Sequence, residues 1–168
     1  HFRHYNVGLS CCGAPILDVN GDVLAVLDAS AANSADTRQV QRHTMALVNM
    51  SANLISRCHF LSQFQDDWIL RFHGRAEFVG LLHEALVAVD DNGRIMAVNE
   101  SALMQLGINS RDQLVGRLLA EVVPLDFSTL EQRAASAPAT LWPMRDLAYG
   151  RRFFANVRAP LGSSRTPS

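Results

Sequence analysis

Two stretches of the chain carry apolar runs on either side of the same turn. Residues 9–19 read Leu-Ser-Cys-Cys-Gly-Ala-Pro-Ile-Leu-Asp-Val, followed by Asn20-Gly21 and then Asp22-Val-Leu-Ala-Val-Leu-Asp28. Farther on, Ala85-Leu-Val-Ala-Val-Asp90 and Arg94-Ile-Met-Ala-Val98 flank Asn92-Gly93. Asn-Gly suits a two-residue hairpin because both central positions need positive φ. The pattern predicts strands near 9–19 and 22–29 and a second hairpin over 85–98. Ile16, Leu17, Val23, Leu24, Val26 and Leu27 are too many apolar side chains for a lone hairpin, which is marginal in water. They need further sheet, from a partner chain or, as we expect, from sequence outside these 168 residues.

Between the hairpins the period changes from two to about three and a half. Asp36, with Gln39 at the third helical position, fits a capping box. From Val40 to Phe72 there is neither Pro nor Gly. Val40, Leu47, Leu54, Leu61 and Trp68 recur every seven residues, with Met50 and Phe64 at the intervening d-like places and Arg57 breaking the series. Such a seam predicts a helix from Asp36 to Phe72 that pairs in parallel with its own copy and ends or bends at His73-Gly74. The competing expectation is a long helix packed on its own domain.

After the second hairpin, Asn99 is placed to cap a short helix through Leu106, with Gly107 as its stop. Ser110 could cap another through Leu114, and residues 126–134 read as a third. Thr140–Trp142 and Arg151–Val157 read as strands joined around Tyr149-Gly150. The tail, 162–168, is polar. The chain is thus of α+β class: 1–35, an antiparallel hairpin unit; 36–77, a connecting and dimerisation helix; 78–160, an antiparallel sheet with short helices; and 161–168, a linker.

Composition narrows the function. Hydrophobic residues make up 48% and charged residues 18%, so the chain can bury a core. A net charge of −1 gives no global case for nucleic acid or an anionic membrane. No apolar run approaches the ~20 residues of a membrane span, and no secretory signal is present, so a cytoplasmic setting is expected. All fifteen basic residues are Arg, which removes a Schiff-base or P-loop lysine. Cys11, Cys12 and Cys58 make a poor disulfide framework. Neither Cys11-Cys12 nor Cys58-His59 has the separation of a zinc site, and on a helix the latter pair points about 100° apart.

His4, Cys11 and Cys12 could line a pocket but fit ordinary strand filling better. His43, His73 and His83 lack the carboxylate spacing of a general base. Asp18 and Asp90 occupy equivalent hairpin positions and suit turn capping. Ser10 and Ser30 lack a nucleophile elbow. Arg151-Arg152 reads as a solvated strand end. No catalytic residue and no metal site is expected, and the segment does not read as an enzyme.

The run Asp90-Asp-Asn-Gly-Arg-Ile95, then Val98-Asn99-Glu-Ser-Ala102, Leu106-Gly107 and Leu114-Val-Gly-Arg117, resembles a PAS domain over residues 78–160. A full PAS sheet has five strands, of which the pattern shows four. Ser10-Cys-Cys-Gly-Ala-Pro-Ile16, Gly21 through Ser30, Met50-Ser-Ala-Asn-Leu-Ile55 and Trp68-Ile-Leu-Arg-Phe-His73 resemble the C-terminal end of a GAF domain and its exit helix. Together they are similar to sigma-54-dependent transcriptional activators of the acetoin-catabolism and dihydroxyacetone type, whose members carry GAF, PAS, AAA+ ATPase and helix-turn-helix domains.

The resemblance implies a sensory and dimerisation region: a homodimer through the long helix, an unidentified small-molecule effector, and AAA+ and DNA-binding domains beyond residue 168. It implies no membrane and no direct nucleic-acid contact from this segment. Val87, Val89, Ile95, Leu103, Leu106, Leu118, Val122 and Phe154 would line the PAS core or its pocket. No cofactor is implied, since no Cys lies beyond Cys58 to react with a flavin. The alternative is the same pair of modules feeding a histidine kinase or a cyclic-dinucleotide enzyme.

Overall fold

Both hairpins form, but not through the expected two-residue turn. Among the described residues no non-glycine has positive φ. Gly21 and Gly93 donate their N–H to Asp18 O and Asp90 O, so Val19-Asn20 and Asp91-Asn92 are the central turn residues and only the glycine that follows is left-handed. In the computed structural model, which describes residues 9–32 and 38–162, β1 (Leu9–Leu17) and β2 (Val23–Ala32) make an antiparallel pair. Asp18 Oδ1 accepts from the backbone N–H groups of Asn20 and Asp22, and Gly21 takes φ 86°. The same bonds recur at Asp90 and Gly93 between β4 (Ala85–Val89) and β5 (Ile95–Val98). Asp36, His4 and residues 163–168 lie outside the described residues, so the capping box, the His4 expectation and all but the first residue of the polar tail are not placed.

The long helix, α1 (Arg38–Gln63), is shorter than its heptad pattern predicts, and Trp68 is not on it. The chain turns through Phe64–Asp67, where Asp67 N–H donates to Phe64 O, and re-emerges as β3 (Trp68–His73). The seven-residue step from Leu61 to Trp68 is therefore a coincidence of spacing. Trp-Ile-Leu-Arg-Phe-His is rich in aromatic and branched residues that suit a pleated, buried surface. Its backbone is fully paired because β3 sits mid-sheet, between β4 and β7 (Arg152–Arg158).

β3 is the fifth strand that the sequence pattern did not show. With β6 (Trp142–Arg145) the sheet order is β5-β4-β3-β7-β6, with every neighbouring pair antiparallel.

Two helices cover one face. In α2 (Glu100–Leu106), Asn99 Oδ1 accepts from Ala102 N–H at 2.9 Å and Gly107 closes the helix in the left-handed region. In α3 (Phe127–Ser136), Asp126 caps through Thr129 N–H at 2.8 Å. Ser110 forms no side-chain cap; a single 3-10 turn at Arg111–Gln113 stands where a short helix was expected.

The main core lies between this face and those helices and includes Leu70, Phe72, Val87, Leu114, Leu130 and Phe153. Ile69, Leu86, Ala88 and Ala97 form the opposite face, which Phe60 and Leu61 of α1 and Phe64 in the turn after it cover. β4 is thus buried on both sides, which explains its unbroken apolar sequence.

The hairpin β1–β2 lies along the middle of α1, where Cys12, Ala14 and Ile16 meet Val48 and Ala52. Leu17 N–H donates to Ser56 Oγ at 2.9 Å, tying the hairpin's end to the helix. Val23, Leu24 and Val26 remain exposed. Among the described residues no helix is long and apolar enough to cross a membrane.

Candidate functional site

Six of the eight expected core or pocket residues, Val87, Val89, Ile95, Leu103, Leu106 and Val122, meet in the main core. Two do not. Leu118 is 37% exposed, because its backbone bridges to Arg94 while the next residue, Leu119, takes the buried place. Phe154 is half-buried on the other side of β7, with the Arg152 guanidinium 5.0 Å from its ring centroid. Strand alternation instead sends Phe153, Ala155 and Val157 inward.

The expected seam divides in the same way. Val40, Leu47, Met50 and Leu54 are exposed by 52%, 65%, 52% and 50%, whereas Leu61 and Phe64 pack against the sheet and Trp68 belongs to it. At 100° per residue, Leu47 and Leu54 lie about 130° around the helix from Val48 and Ala52, which hold the hairpin.

The junction of α1 with the sheet is built on a charged group that sequence reasoning missed. Glu84, immediately before β4, is completely buried. Its carboxylate accepts from Arg57 of α1 (Nη2, 2.6 Å; Nε, 3.1 Å), from Arg71 of β3 (Nε and Nη2, both 3.1 Å) and from Gly80 N–H at 2.5 Å. One buried anion thus joins helix, central strand and loop, with its lone pairs satisfied, as a buried charge requires. The sequence signal was Arg57 itself, a charge at a seam position.

Asn99 adds a second tie. Besides capping α2, its Oδ1 accepts from Leu86 N–H and its Nδ2 donates to Glu84 O.

At the far end of α1, Arg158 of β7 donates from Nη2 to Phe64 O at 2.7 Å. Burial first, and Arg71 second, hold its pKa below the usual arginine value. Asp67, in the turn beneath it, is raised by burial and then by the neighbouring carboxylates of Asp66, Asp91 and Asp90. His73 ends β3, accepts from Arg75 N–H through Nδ1, and is pushed down chiefly by burial. Cys11 and Cys58 are exposed and Cys12 is buried, all with free thiols. Among the described residues no group of three or more His, Cys, Asp or Glu could hold a metal ion.

A cleft of about 190 Å³ opens beside the clasp. The hairpin end supplies Leu17 and Asp18, α1 supplies Asn53, Ser56, Arg57 and Phe60, and the segments around α2 supply His83, Asn99, Ser101 and Arg111. Gly21 of the hairpin turn abuts Arg111 so closely that an added Cβ would overlap the guanidinium.

Comparison with known proteins gives this architecture a context. The PAS fold family matches residues 75–140, from the loop before β4 to four residues past α3, so the central strand β3 precedes the matched stretch. Over 130 residues, 77% of its length, the chain is 34% identical to the "Acetoin catabolism regulatory protein" of Cupriavidus necator. That alignment spans 19% of the relative, so the chain corresponds to about a fifth of it. A solved structure, "Crystal Structure of the E.coli DhaR(N)-DhaL complex", aligns with 91% of this chain and 56% of that one, at 14% identity and a TM-score of 0.28. The chain therefore carries a PAS-like α+β domain, led by a long helix and a hairpin, in a segment similar to part of a regulatory protein.

Proposed function

We propose that this segment is the sensory and dimerisation region of a bacterial sigma-54-dependent transcriptional regulator of the acetoin-catabolism type. In this reading β1, β2 and α1 form the C-terminal end of a GAF domain, and the PAS-like unit follows. AAA+ ATPase and helix-turn-helix domains in the longer chain read the state of α1 and do the work on ATP and DNA. The segment is cytoplasmic, is not an enzyme, and touches neither membrane nor nucleic acid directly. A small-molecule effector acts by binding two packings of α1 with different affinity, the condition for any signal.

The observation that carries the reading is the division of labour along α1. Its C-terminal part is fixed to the sheet by Phe60 and the Arg57–Glu84 pair, while Val40, Leu47, Met50 and Leu54 present an apolar seam to solvent. A second copy in parallel would bury that seam over about 21 Å of helix. The similarity to a regulatory protein supports the biological assignment.

A cysteine cross-link tests the geometry. With Cys11, Cys12 and Cys58 replaced by Ser, Ala and Ser, Met50→Cys should form a disulfide-linked dimer under mild oxidation, because a parallel pair brings a seam residue to its own copy. Arg42→Cys, off the seam, should not. Equal cross-linking of both, or of neither, would overturn the parallel pair.

A further inference from the structure

We propose that the cleft between the hairpin, α1 and α2 is a binding site for a small organic carboxylate. The proposal deepens the regulatory reading by placing an effector at the junction rather than in the PAS core. The six expected core residues that meet there, with Trp68, Leu114 and Phe153, fill the space between sheet and helices. The cleft instead lies at a joint, with the hairpin end and α1 on one side and the segments around α2 on the other.

Two guanidinium groups of the cleft lining have hydrogen-bonding capacity to spare. Arg57 uses Nε and Nη2 on Glu84, which leaves Nη1 without a partner among the described residues. Arg111 donates from Nε to Val98 O and holds Glu100 through Nη1 at 2.7 Å, which leaves Nη2. One oxygen of each neighbouring acid is already engaged: Asp18 Oδ1 serves the hairpin turn and Glu100 Oε1 pairs with Arg111. A ligand that satisfies two guanidinium edges must bring acceptors, and a carboxylate matches them best.

Leu17 and Phe60 add apolar lining. Size sets the rest. A cavity of about 150 Å³ holds benzene, so this cleft suits an acid of roughly four to six carbons. Bound there, it would bridge Arg57 of α1 and Arg111 of the PAS-like unit and favour one packing of the helix over another.

The probe is butyrate, with n-butyramide as its neutral counterpart, titrated into the whole chain and followed by amide chemical shifts. Saturable shifts at Ser56 and Ser101, with butyramide about tenfold weaker or worse, are expected. Arg111→Gln should weaken butyrate by about tenfold and Arg111→Lys should restore part of it, while Arg42→Gln leaves it unchanged. Asn53→Leu, on an exposed helix position, blocks the cleft mouth and should lower affinity even if Arg111→Gln fails to fold.

Shifts confined to Val87, Leu103 and Leu106, equal binding of acid and amide, or no saturable binding would overturn the site. Dimer mass measured on the same samples separates the two ideas. Loss of binding with an intact dimer refutes the cleft, and a monomer that still binds refutes the parallel seam.

Discussion

The two hairpins share a turn sequence, Asp-x-Asn-Gly, and a turn structure, yet meet opposite fates. In both, the aspartate Oδ1 takes two backbone N–H groups at 2.8–2.9 Å and the glycine sits at positive φ. β4 is then buried on both faces, between α2 and α1, while β2 leaves Val23, Leu24 and Val26 in water. Turn chemistry therefore decides that a hairpin forms and says nothing about what covers it. Coverage comes from the neighbours: β4 has a central strand, a capped helix and the Glu84 clasp beside it, whereas β2 has β1 and one side of α1.

That contrast can be broken most severely at Glu84. Glu84→Gln removes the buried anion and leaves the partly buried Arg57 and Arg71 without their shared counter-charge, at a cost of about 3 kcal/mol. Urea unfolding would show it as a lower midpoint, and α1 amides should lose hydrogen-exchange protection before those of β4.

A milder and cleaner comparison pairs two valines. Val87→Ala in β4 should cost about 2 kcal/mol, whereas Val26→Ala in β2 should stay within about 0.5 kcal/mol by the same unfolding assay. Equal losses would mean that β2 is covered in solution.

A smaller loss than at Val87 is expected at the cap after the second hairpin. Asn99→Ala removes the bond to Ala102 N–H and should cost about 1 kcal/mol, seen as a drop in melting temperature with no change in oligomeric mass. Its further ties to Leu86 and Glu84 push the loss upward from a simple cap.

The parts of this structure that local rules govern were readable from the chain. Both hairpins and the Asn99 cap follow from Asp and Asn side chains bonding backbone a few residues away, and the Gly107 stop from glycine's freedom to take positive φ. Tertiary choices were not. Residues 68–73 satisfied a heptad continuation and a strand equally, and the two vacant edges of β4 and β7 decided for the strand. Phe153 and Phe154 are both apolar, so only the pairing register with β3 could say which faces the core. Leu118 and Leu119 pose the same problem in a loop.

The charged clasp was hidden for a different reason. Arg57, Arg71 and Glu84 are far apart in sequence, and each alone looks like a solvated charge. Only the packing of α1 on the sheet brings them together.

The account rests on the exposed seam of α1 being an interface between two copies of the chain, and its mass in solution tests that directly. Light scattering at tens of micromolar should give the wild-type chain twice its 18.5 kDa. Leu54→Glu, which would set two carboxylates against each other in the seam at a cost of several kcal/mol, should give a folded monomer. A wild-type monomer at that concentration, or a Leu54→Glu variant that dimerises as well as wild type, would contradict the account and leave α1 as a helix that serves only its own chain.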